Sequence, residues 1–243
     1  MMKKFLTVGV AMVLTACGGG GASTAPSAPL PPVTAEGFWE GTASTGASVA
    51  LAVLEDGETW GIYTSGSSIA GALYGVTTSS GTTLTGSGKD FNIAARSVAT
   101  ATYTGTFVAK SSIRVATSGG ATFAGNYVAA YDQPASLTAL AGTFSGQGVS
   151  GNSSTQTIPV TISASGAVTV PTSAGCGASG TASPRPSAKN IFDVSVTFNG
   201  TSCALGNGTV TKGIGYFNST SRTLLVMALN PAKTDGFIYV GQK

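Results

Sequence analysis

No histidine occurs anywhere in this chain of 243 residues. Its absence removes the usual general base near neutral pH, the serine or cysteine triad built on it, and the commonest transition-metal ligand. Charge is scarce as well. Asp, Glu, Lys and Arg together make up 9% of the sequence, against roughly 25% in an ordinary globular chain. The formal net charge is only +3, and Lys3 and Lys4 at the very start supply two of those units. The other basic residues lie singly between Lys89 and Lys243, so they gather into no phosphate-binding face and nucleic acid is not an expected partner. An amphipathic helical stripe is missing too, since no window repeats apolar residues at i, i+3, i+4 and i+7.

Gly (35 residues), Ser, Thr and Ala fill the space that charge leaves. Hydrophobic residues reach 42%, enough to bury a core despite the low complexity. The first apolar run, Phe5 to Val13, follows Lys3 and Lys4 and ends in Leu14-Thr15-Ala16-Cys17. It is too short for a permanent span of about 20 residues, and its basic start and small-residue end have the form of a signal peptide. Leu, a small polar residue, Ala and Cys resemble the lipobox of bacterial lipoprotein precursors. The resemblance implies a signal peptide over residues 1–16, cut before Cys17, with acyl chains such as palmitate on that cysteine. Gly18 stands where enteric members of the family carry a retaining Asp, which implies the outer membrane, facing either the periplasm or the surface. Residues 17–35 are rich in Gly and Pro and read as a flexible tether.

Beyond the tether the chain shows an internal repeat. Gly37-Phe38-Trp39-Glu40-Gly41 in the first half corresponds to Gly142-Thr143-Phe144-Ser145-Gly146 in the second. In each half an alternating strand, a Gly turn (Gly57, Gly166) and a further strand follow, the offset having grown by a short insertion. Later, Ser111 to Ala116 aligns with Ser221 to Val226, ahead of a last aromatic strand near Phe123 to Tyr127 and Phe237 to Val240. The repeats are expected over residues 36–133 and 140–243. Gln133 to Leu140, with Pro134, forms the linker between them.

Nearly every segment alternates β-branched or aromatic residues with small polar ones, and Gly, Asn and Ser turns punctuate them closely. The expected class is all-β and antiparallel: two similar small barrels or sandwiches in tandem, of six to eight strands each. Closure would remove the exposed edges. Gly37-Phe38-Trp39 and the hairpin that follows resemble the opening of lipocalin-like and avidin-like barrels, a likeness that implies a tryptophan at the barrel floor and carries no ligand with it.

Cys176 and Cys203 are the only cysteines after Cys17. An even pair in an exported chain reads as a disulfide. Trp39, Trp60, Tyr63 and Tyr74 are the aromatic candidates for stacking on a flat ligand, with the core as the plainer place for them. Glu55, Asp56 and Glu58 flank Gly57; they lack the spacing of a calcium loop and read as an acidic hairpin tip. Glu36 and Glu40 flank Trp39 without any spacing that marks a glycosidase pair. No catalytic residue, metal site or cofactor is expected. The function expected is that of a membrane-anchored envelope or surface lipoprotein binding a protein or a small ligand, with a structural or assembly role as the alternative and a hydrolase third.

Overall fold

The computed structural model describes residues 33–150 and 153–243; Cys17, the leader and most of the tether lie outside them. The described residues form two closed, eight-stranded, up-and-down barrels in tandem. The first contains β1 (Gly37–Ala43), β2 (Ser48–Val53), β3 (Glu58–Ser65), β4 (Ser68–Ser80), β5 (Thr83–Asn92), β6 (Ser97–Val108), β7 (Ser112–Thr117) and β8 (Thr122–Tyr127). The second contains β9 (Gly142–Ser150), β10 (Gln156–Ile162), β11 (Ala167–Ser173), β12 (Cys176–Pro184), β13 (Phe192–Asn199), β14 (Val210–Asn218), β15 (Thr223–Leu229) and β16 (Gly236–Gln242). Each first strand pairs with both the second and the last, β1 with β8 and β9 with β16, so neither sheet keeps a free edge.

Alternation explains most strands. In β13, Phe192, Val194 and Val196 face inward and bury, with Phe198 half-buried on the same face, while Asp193, Ser195 and Thr197 between them face out. β15 breaks the rule, because Leu224, Leu225, Val226, Met227, Ala228 and Leu229 are apolar without interruption. A strand apolar on both faces needs cover on both. Its inner face lines the second barrel, and its outer face packs on the first.

The repeat is visible atom by atom. Gly57 and Gly166 both take positive φ (82° and 83°). Each accepts a backbone hydrogen bond from the middle of the same barrel's fourth strand, from Thr77 at 2.7 Å and from Ala182 at 2.8 Å. A Cβ on either would lie within 2.3 Å of a carbonyl oxygen, so only glycine fits. Gly41 and Gly146 sit opposite Gly125 and Gly241 where each barrel closes. The residues inserted between the two turns fall between Gly146 and Ile158, since Gly41 pairs with Val49 and Gly146 with Ile158. One alignment needs correction. Ile113 pairs with Gly125 and Leu224 with Gly241, so Ile113 is the counterpart of Leu224, not of Thr223. Order alone misplaced this strand by one residue, which in a strand exchanges the faces.

The floors are equivalent too. Trp39 and Phe144 are both fully buried at the lower end of their barrels, where the barrel resemblance put the tryptophan. Trp39 Nε1 donates to the Ala35 carbonyl at 3.1 Å, while Phe144 meets Phe217 edge to face at 5.8 Å. Between the barrels, residues 133–140 are more than a passive linker. A one-turn helix, α1 (Leu137–Leu140), capped by Ser136 Oγ, delivers the buried Leu140 to the second floor.

Each barrel has its own interior core, and a third apolar cluster joins them. Phe38, Trp60, Ile62 and Phe91 from the outside of the first barrel meet Ile214, Tyr216, Met227 and Ile238 from the outside of the second. Phe38 stacks on Tyr216 with centroids 3.7 Å apart. Polar contacts ring this seam. Arg185 spans Glu55 (2.8 Å), Asp56 (3.1 Å) and Asp193 (2.9 Å), so the acidic hairpin tip of the first barrel is fastened to the second. Asp132, between the barrels, accepts from Lys110 of one at 2.8 Å and Lys189 of the other at 2.7 Å. Burial alone would raise its pKa, but these hydrogen bonds and one from Tyr127 hold it down at about 2.

Candidate ligand-binding cavity

The interiors of the two barrels differ. In the first, Tyr103 fills the middle: its hydroxyl hydrogen-bonds Thr77 Oγ1 at 2.9 Å, and Thr77 in turn meets Thr59 Oγ1 at 2.7 Å. Tyr63 fills the upper part and donates to Asp90 Oδ1 at 2.7 Å. Burial, reinforced by the Asp90 carboxylate, pushes the Tyr63 pKa up, so it stays a neutral donor. Tyr63 and Tyr103 thus occupy the interior of this barrel, tied by hydrogen bonds to its wall.

Strand pairing gives the counterparts in the second barrel. Thr59 and Val168 follow the equivalent turns; Thr77 and Ala182 bond back to the equivalent glycines. Gly86 pairs with Tyr103 as Val194 pairs with Gly213. Leu73 pairs with Gly61 as Ala178 pairs with Val170. The polar triad Thr59, Thr77 and Tyr103 thus becomes Val168, Ala182 and Gly213, and Leu73 shrinks to Ala178. Thr77 and Leu73 give way to the smaller Ala182 and Ala178, both of which line a space in the second interior, while Gly61 and Gly86 give way to Val170 and Val194 on its wall. The space is a cavity of about 360 Å³, within the usual range for small-molecule sites of roughly 300–1,000 Å³.

Its wall is apolar. Ile158, Val160, Val168, Val170, Val194, Val196, Phe198 and Phe237 line it, and Leu140, Phe192 and Leu224 lie toward the floor. Among the described wall residues Tyr239 alone has a titratable side chain; its hydroxyl donates to the Ile158 carbonyl at 3.2 Å. Burial pushes its pKa up to about 12, so it is neutral under ordinary conditions. Thr211, also facing inward, is fully buried and satisfied by the Val196 carbonyl at 3.3 Å. At the upper end the lining turns polar through Ser150, Ser153, Ser154, Gln156, Ser173 and Ser202.

The Cys176–Cys203 disulfide is formed, with Cα atoms 4.8 Å apart, and it sits at this polar mouth. Cys176 opens β12, and Cys203 lies in the 200–209 loop after β13, not on a neighbouring strand. The bond therefore fastens the longest described mouth loop to the barrel rim. Replacing both cysteines by serine is expected to cost about 3–4 kcal/mol by the chain-entropy model for this separation. A urea titration checks this as a lower midpoint with a steeper slope, because the uncrosslinked denatured chain is more expanded.

The aromatic candidates lie elsewhere. Trp39 is a floor plug and Tyr63 fills the first barrel. Trp60 is buried in the seam between barrels, with Tyr74 edge-on to it at 4.7 Å. Tyr74 donates to Glu58 at 2.9 Å and accepts from Lys233. None of the four lines the apolar cavity. Glu36 accepts from Tyr131 at 3.1 Å, and Glu40, its pKa raised by burial, is also outside the cavity wall. A second hollow of about 540 Å³ runs along the seam, lined by Trp60, Arg185, Asp193, Lys212 and Lys233 among others; Arg185 and Lys233 are already held by carboxylates there. Among the described residues no group of three or more Asp, Glu or Cys is placed to hold a metal. No protein-family model, curated protein or solved structure matches the chain.

The cavity residues were missed in the sequence for a definite reason. Val, Ile and Ala on alternating positions look the same whether they fill a barrel or line an empty one. The available signal was comparative: Thr77 and Leu73 in one repeat stand against Ala182 and Ala178 in the other.

Proposed function

We propose that this chain is a lipid-anchored binding module of the bacterial envelope whose second barrel holds a small apolar ligand, the first barrel being its solid support. The anchor rests on the lipobox-like segment ending at Cys17 and the outer-membrane placement on Gly18. The observation that carries the ligand reading is the hollow second interior beside a filled first one, on the same strand plan. Binding is favoured over catalysis because the described residues of the cavity wall include no Asp, Glu or Lys and only a neutral, already bonded Tyr239.

Titration with the uncharged fluorescent probe N-phenyl-1-naphthylamine tests the reading. Wild-type protein is expected to bind one equivalent with a blue-shifted emission. Ala178→Phe puts a ring into the space and should weaken binding by at least about tenfold, or 1.4 kcal/mol, with the melting temperature nearly unchanged. Val160→Phe is a second filling variant if the first folds poorly. Unchanged probe affinity in a folded filling variant would place the probe outside the barrel and end the proposal.

A further inference from the structure

We infer that the ligand of the second barrel is an uncharged amphiphile, with an apolar body and a hydroxyl or carbonyl head held at the serine-lined mouth. This inference rests on the cavity being a ligand site, and it adds the ligand's charge and orientation. Among the described residues lining the cavity there is no Asp, Glu, Lys or Arg. Tyr239 stays neutral with its pKa at about 12. The mouth loops at 174–175 and 200–209 carry no charged residue either. Of the loop 230–235, Lys233 is turned to Tyr74 and Glu58 of the first barrel, and Asp235 accepts from the Gly236 N–H at 2.7 Å and does not belong to the cavity lining.

At the floor, Lys243 is taken up by the carbonyls of Ala139, Leu140 and Ala141. It does not belong to the wall, so a carboxylate inside would meet no cation. A charged head would lose hydration without a counter-charge to replace it. The rim offers instead Ser153, Ser154, Gln156, Ser173 and Ser202, groups that both donate and accept hydrogen bonds. Such groups suit an alcohol, ester or amide. The cavity volume of about 360 Å³ lies toward the lower end of the roughly 300–1,000 Å³ of small-molecule sites, so an alkyl chain of medium length is a fitting body.

Three ligands of one chain length separate the possibilities: decan-1-ol, decanoate and decylammonium, each competing with N-phenyl-1-naphthylamine at about pH 8, where the last two are charged. Decan-1-ol is expected to displace the probe at concentrations at least about tenfold lower than either ion. Decanoate or decylammonium displacing it as well as the alcohol does would overturn the inference and leave the cavity reading standing. Failure of the probe to bind at all would sink the cavity reading itself. Ser154 is exposed at the rim, so Ser154→Lys tests the head position without disturbing the fold. It should strengthen decanoate binding several-fold and leave decan-1-ol unchanged. No gain for decanoate would contradict a head seated at the mouth.

Discussion

Met227→Lys is expected to prevent accumulation of the folded two-barrel protein. Met227 lies on the outer face of β15, almost wholly buried in the cluster shared with Phe38, Trp60 and Ile62. The cation would be forced into an apolar seam. Burying an unpaired charge falls among the few mechanisms that cost more than about 4 kcal/mol in one substitution. The same seam predicts how isolated halves behave. Residues 36–133 and 140–243 each enclose a barrel core, yet each alone would expose a face carrying Phe38 and Trp60, or Tyr216 and Met227. Patches of that kind drive association. Separately expressed halves should therefore aggregate or reassociate with each other, and mixing them should restore a single cooperative melt. Two soluble halves that stay apart on gel filtration would show the seam to be weak.

Phe144→Ala carries the next largest effect. Phe144 is fully buried between Leu140, Phe217 and the bottom of the cavity wall, and truncating such a phenylalanine costs about 3–5 kcal/mol. Lys243 Nζ, which lies over its ring at 5.2 Å, would lose that support as well. Because the ring forms the floor below an existing hollow, its removal should also deepen the space. Urea unfolding should show the lost stability, and the folded variant should accept a longer neutral chain than the wild type does. The corresponding Trp39→Ala change should cost a similar amount. It should leave ligand binding intact, since the barrel it destabilises is filled.

The sequence made the architecture legible where a residue type has one physical use. Gly57 and Gly166 must turn with positive φ, Trp39 and Phe144 must be buried, and the even cysteine pair after Cys17 reads as a disulfide. These gave the two barrels, their equivalence and the disulfide. Two features needed the structure. The seam was written in β15, whose run from Leu224 to Leu229 does not alternate, but a short apolar run is read as a strand without telling what covers its second face. The cavity was harder. It depends on which residue of one repeat stands at the level of which residue in the other, and aligning by order was off by one residue at β15. At that error the inward and outward faces of β15 exchange, and no shared motif aligns β4 with β12, where Leu73 stands against Ala178. The same limit explains Trp60 and Tyr74. Both were sensible stacking candidates, and both serve the contact between barrels.

The central claim is that one barrel is hollow and the other solid. Xenon, which enters dry apolar cavities, tests it most directly in crystals under pressure. Anomalous peaks are expected inside the second barrel, among Val160, Val168, Val196 and Phe198, with none among Tyr63, Tyr103 and Thr77 of the first. Xenon in the first barrel, or a second barrel left empty at pressures that fill other apolar cavities, would contradict the account.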